Sequence, residues 1–102
     1  MKYKNGFVGI YRWKVDDEHV AAFRRAWSEG TEALKPYNSY GSLLGRAADG
    51  TFVAVAMWPD KETRDRAFEH APDPDWPPLE RLEPMLLEVL DDLWNVSPFR
   101  PD

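Results

Sequence analysis

The chain contains no cysteine. That excludes disulfides, thiolate nucleophiles and any metal site built on sulfur. Its two histidines, His19 and His70, lie far apart, and neither has a second histidine at ligand spacing, so no metal centre is expected. No glycine-rich phosphate loop and no serine-centred nucleophile elbow occurs. No apolar run approaches the ~20 residues that cross a bilayer. The opening MKYKNGFVGI lacks the apolar core and small-residue cleavage site of a secretory signal, so the expected compartment is the cytoplasm. Basic residues are in the minority, 13 Lys and Arg against 18 Asp and Glu. The resulting net charge of -5 argues against nucleic acid or an anionic membrane as partner.

What the chain does have is aromatic side chains. They make up 14% of its 102 residues, and five are Trp. A single domain of this size cannot bury so many completely, which points to pockets and interfaces for the remainder. The whole chain reads as one domain, with its core over about residues 6–90 and an arm over about 91–102.

The organising stretch is Gly41 to Trp58, GSLLGRAADGTFVAVAMW. Asp49-Gly50 between two extended apolar runs is a strong hairpin signal. A two-residue loop there sets Ala47 opposite Phe52, Gly45 opposite Ala54, Leu43 opposite Ala56 and Gly41 opposite Trp58. Small residues then lie between large aromatics on one face, leaving a hollow beneath any helix laid on it. The other face, carrying Arg46, Leu44, Ser42, Val53, Val55 and Met57, is bulky and suited to a partner sheet. Two apolar faces on so small a sheet point to a homodimer.

Elsewhere, FVGIYRWKV at 7–15 reads as an interior strand, with Phe7, Gly9, Tyr11 and Trp13 on one side. Asp16 or Asp17 is expected to cap a helix whose stripe is Val20, Phe23, Trp27, Thr31 and Leu34, ended by Pro36. Asp60 caps a second helix of mixed charge. APDPDWPP at 71–78 holds four of the nine prolines and reads as a stiff extended linker around Trp76. The spacing then predicts a helical turn near Leu79–Glu83 and a strand near Met85–Leu90. The order is βαββαβ, an α+β ferredoxin-like antiparallel sheet with its helices on one face.

In YRWKV, FRRAWSEGTEAL and DGTFVAVAMWPDKETRDRAF, over most of residues 7–70, the chain resembles the antibiotic biosynthesis monooxygenase superfamily of dimeric α+β barrels. The resemblance implies a homodimer of sheets packed face to face, with a pocket between sheet and helices in each protomer. It also implies oxidation of an aromatic substrate by O2 without flavin, metal or haem. Trp58 matches the Trp that ends the third strand in those enzymes and is the candidate catalytic residue. This chain has Ala54 where they have Asn, and Arg64 where they have Tyr. The haem-degrading branch is not matched, since the first strand lacks its Asn and the second helix its Trp.

The expected substrate site comprises Tyr11, Trp27, Thr31, Tyr37, Phe52 and Ala54 around Trp58. Four of these also have a plain structural reading: Tyr11 as a strand aromatic, Trp27 as core, Tyr37 as a loop aromatic, Thr31 bonded within its own helix. The expected function is a cofactor-independent monooxygenase-like protein acting on an aromatic or polyketide-type small molecule. The alternatives are a non-catalytic binder of a small hydrophobic ligand and a dimerisation module with a filled core.

Overall fold

A computed structural model describes residues 6–99. The opening residues 1–5 and the end of the expected arm, 100–102, lie outside the described residues. Five antiparallel strands and two helices make the expected ferredoxin-like α+β fold. In chain order they are β1 (Phe7–Lys14), α1 (Val20–Leu34), β2 (Gly41–Arg46), β3 (Phe52–Trp58), α2 (Lys61–His70), β4 (Glu80–Arg81) and β5 (Met85–Glu88). The sheet runs β2-β3-β1, with β4 and β5 together filling the place beyond β1.

β1 and β3 pair from Phe7–Trp58 to Trp13–Phe52, so Phe7, Gly9, Tyr11 and Trp13 share a face with Phe52, Ala54, Ala56 and Trp58. Both helices pack there, α1 through the fully buried Phe23 and α2 through Ala67. Burying Phe23 contributes roughly 1.5–3 kcal/mol. Short turns of 3₁₀ helix flank α1 at Asp17–His19 and Lys35–Tyr37, the second containing Pro36. The expected aspartate cap is not made: Asp16 accepts from the His19 N–H through its backbone carbonyl, and α1 starts only after His19. Asp60 caps α2, its Oδ1 accepting from the Thr63 N–H at 2.7 Å.

The hairpin differs from the expected register by one residue. Arg46 pairs with Phe52, Leu44 with Ala54 and Ser42 with Ala56. The loop is longer than Asp49-Gly50: the Ala47 N–H donates to Thr51 O at 2.8 Å and the Gly50 N–H to Ala47 O at 2.9 Å. Gly50 has φ +89°. This is a three-residue loop, a turn followed by a left-handed glycine, which adds one residue to the β2 side. A one-residue slip exchanges faces. Ser42, Leu44 and Arg46 therefore join the helix side, and the Arg46 guanidinium sits 4.5 Å from the Phe52 ring centre. Leu43 instead faces out and is 56% exposed.

The helical turn expected near Leu79–Glu83 is a strand instead. Glu80 and Arg81 pair with Lys14 and Trp13, and Met85–Glu88 with Ile10–Phe7. Between the Ile10–Met85 and Trp13–Arg81 pairs the returning chain has one residue more than β1, a bulge at 82–84 containing Pro84. Proline has no N–H to donate, and a bulge tolerates that loss. The bulge turns Arg81 to the helix side beside Trp13, while Met85 and Leu87 face outward beside Ile10 and Val8. Beyond β5 the chain is irregular, with Leu90, Leu93 and Val96 exposed, until Phe99 is buried against Tyr40.

Candidate functional site

The buried residues do not form one contiguous core. One cluster gathers Phe7, Ala56, Trp58 and Ala67, with Leu34 and Tyr37 against it. Another gathers Trp13, Phe23, Phe52 and Ala54, with Trp27 and Trp76 against it. The division falls between Ala54 and Ala56, whose methyl groups are too short to fill the space under α1. Tyr11 touches both clusters. The space left is a cavity of about 590 Å³ between sheet, helices and the 71–76 segment. That falls within the range of roughly 300–1,000 Å³ usual for small-molecule sites.

Five of the seven expected site residues line it: Tyr11, Trp27, Thr31, Ala54 and Trp58. Thr31 is half-buried and lines a smaller adjoining hollow as well. Phe52 and Tyr37 stand outside the lining. Phe52 is held in the core 5.1 Å from Phe23, with Arg46 over its other surroundings. Tyr37 buttresses the Trp58 cluster, and its hydroxyl reaches the His70 carbonyl at a long 3.5 Å. Trp58 forms a closed part of the wall. It is 0% exposed, packed 5.8 Å from Phe68, and its Nε1 is buried with no hydrogen-bond partner. An orphaned buried N–H costs about 1–3 kcal/mol, a penalty that an acceptor brought within reach would relieve.

The polar feature that the sequence did not foretell is a pair, Tyr11 and Arg64. Arg64 Nε donates to the Tyr11 hydroxyl at 3.0 Å, and Nη1 donates to Asp65 Oδ1 at 3.0 Å. The guanidinium also lies 4.4 Å from the Phe68 ring centre. Space for the phenol comes from Gly9: a Cβ there would stand 2.5 Å from the Tyr11 hydroxyl. Burial pushes the Tyr11 phenol above its ordinary range, against the opposing pull of Arg64, so it stays protonated at neutral pH. Burial pulls the Arg64 guanidinium down, but its bonds to Tyr11 and Asp65 outweigh that and hold it up.

The 71–78 linker turns out to be a wall. Trp76 stacks on Trp13 at 6.0 Å and lies 5.1 Å from the Arg81 guanidinium, while its Nε1 donates to Asp73. Pro74 lies close over Gly30 of α1. Pro72, Asp73, Pro74 and Trp76 all line the cavity, as do Ser42, brought inward by the hairpin register, and Arg81, brought inward by the bulge. Among the described residues no three His, Asp or Glu side chains come together as a metal site. No helix among them is long and apolar enough to cross a membrane.

Fold and cavity together define an α+β protein of ferredoxin-like architecture with room for a small molecule between its layers. No protein-family model matches the chain, and no curated protein matches it. Among solved structures it is similar to Rv0793 from Mycobacterium tuberculosis, with a TM-score of 0.62 over 87% of this chain and 99% of that one. At 14% identity that likeness speaks for the fold alone.

Proposed function

We propose that the cavity receives a planar aromatic or polyketide-type small molecule, and that the protein oxidises it with O2 in the manner of the antibiotic biosynthesis monooxygenases. The observation that carries this reading is the cavity itself. Its walls are aromatic, from Tyr11, Trp13, Trp27, Phe68 and Trp76, and it divides the core where Ala54 and Ala56 leave room. In such a reaction the deprotonated substrate is the electron donor. A ring CH2 and O2 become C=O and H2O: one oxygen bonds to carbon, the O–O bond breaks, and the other oxygen leaves as water. In this reading the protein's part is to exclude water and stabilise the substrate anion, with the hydrogen-bonded Tyr11 O–H and Arg64 guanidinium as the proposed donors.

A homodimer belongs to the same proposal. The outer sheet face is apolar and uncovered by either helix, with Leu43 at 56%, Met85 at 54% and Leu87 at 40% exposed. An open patch of that kind on a small domain suits a second copy of the sheet.

A non-catalytic binding protein is the second reading. It is favoured by Ala54, which brings no polar group to the cavity, and by Trp58, which presents no exposed surface. Oxygen uptake after chelator treatment, with a panel of anthrones and hydroquinones, separates the two. The oxygenase reading expects one O2 consumed per molecule of product formed. Tight binding with uptake no faster than the spontaneous rate leaves the binding protein.

A further inference from the structure

The unpaired polar groups beside the Tyr11–Arg64 pair are all donors. A guanidinium carries five N–H groups, and the Nε and Nη1 bonds use two, leaving three without a partner among the described residues. Tyr11 accepts from Arg64, so its own O–H proton is uncommitted. The orphaned Trp58 Nε1 is a donor as well. The rings pack in series: Arg64 lies 5.8 Å from the Tyr11 ring centre, and Tyr11 6.4 Å from the buried Trp13. Trp13 is 6.0 Å from Trp76, and Trp76 is 5.1 Å from Arg81. A guanidinium thus stands at each end of a series of three rings. The charged lining residues are two arginines, Arg64 and Arg81, against one carboxylate, Asp73, whose Oδ1 accepts from Trp76 Nε1. In a chain of net charge -5 this cavity is locally positive.

We propose that the ligand is an aromatic acid, its ring body lying against the partly buried Tyr11, Trp27 and Trp76 and its carboxylate seated on Arg64 and the Tyr11 hydroxyl. The inference rests on the aromatic-ligand reading above and adds a requirement for negative charge. A carboxylate accepts from several donors at once and matches the planar fork of a guanidinium, which a neutral carbonyl does not. Asp65 already takes one N–H of Arg64, and its carboxyl, held low by Lys61 and then Arg64, partly offsets the charge. The three free N–H groups are what remains for the ligand.

The test compares two neutral-or-charged twins, anthraquinone-2-carboxylate and anthraquinone-2-carboxamide, by quenching of tryptophan fluorescence at pH 7.5. The acid is expected to bind at least about tenfold more tightly, the scale of a charge-assisted pair over a neutral one. Arg64→Met, checked for folding by circular dichroism, is expected to bring the acid down to the amide's affinity, and Arg64→Lys to restore part of the difference. Equal affinity of acid and amide for the wild-type protein overturns the anion requirement and leaves the aromatic cavity standing. Binding of neither overturns both.

Discussion

At Gly9 a single hydrogen decides the geometry of the polar pair. The Tyr11 ring folds back along its own strand and sets its hydroxyl where a Cβ at residue 9 would be. Gly9→Ala therefore has to push the phenol aside, and a ring cannot yield as a flexible chain would. The expected result is a loss of about 1–3 kcal/mol of stability in urea unfolding, with ligand affinity falling further than in Tyr11→Phe. Tyr11→Phe removes the hydroxyl but leaves the ring in place, so its effect on affinity is expected to be severalfold and its effect on stability slight. Arg64 illustrates the limit of reading single positions. In the sequence it was a departure from a family pattern on a charged helix face. Its partner, Tyr11, is 53 residues away, and no spacing rule connects them.

Elements were legible in the chain to different degrees. β1, α1 and α2 follow from alternation, helical periodicity and the Asp60 cap, because those signals are local and each is supported by burial on one face. The β2–β3 hairpin was legible in existence but not in register. Asp-Gly serves a two-residue loop, yet the same glycine also serves a three-residue loop with one more residue before it. The outcome is testable by a matched pair. Ser42→Phe, on the helix side, is expected to block the cavity and cost at least about tenfold in ligand affinity, as a buried ring excludes the ligand's own. Leu43→Glu, its neighbour on the opposite face, is expected to leave ligand affinity within about twofold and to weaken the proposed dimer in sedimentation equilibrium. In the two-residue-loop register the two effects would be exchanged.

The α2 cap gives a prediction in pH. The Thr63 hydroxyl, and then its backbone N–H, hold the Asp60 carboxyl below its ordinary range. A lowered folded value contributes stability above the ordinary carboxylate range and loses it as pH falls through the lowered one. Asp60→Ala is expected to cost about 1 kcal/mol at pH 7. Asp60→Asn still caps but does not titrate, so its melting temperature should approach that of the wild type as pH falls below about 3.9. A constant difference between the two across that range would show that the cap carries no titrating contribution.

For the whole molecule, the hollow was legible because Ala54 and Ala56 lie between Phe52 and Trp58 on one face of β3, a property of the strand itself. What closes the hollow was not. The 71–76 segment has no periodicity to interpret, and its place as a wall depends on Trp76 finding Trp13 and on Pro74 meeting Gly30. The inward turn of Arg81 depends on a one-residue bulge that proline content alone does not locate.

A protein whose hydrophobic interior falls into two halves has two ways to open. Amide hydrogen exchange without ligand is expected to sort β1 and β3 into separate sets. One surrounds Phe7 and Trp58, the other Trp13 and Phe52. A guest in the gap joins them into one cooperative unit. At a hundredfold excess over Kd it should slow the most protected amides of both sets by the same increment, about 2.7 kcal/mol. Occupancy would then be readable at backbone positions the guest never touches.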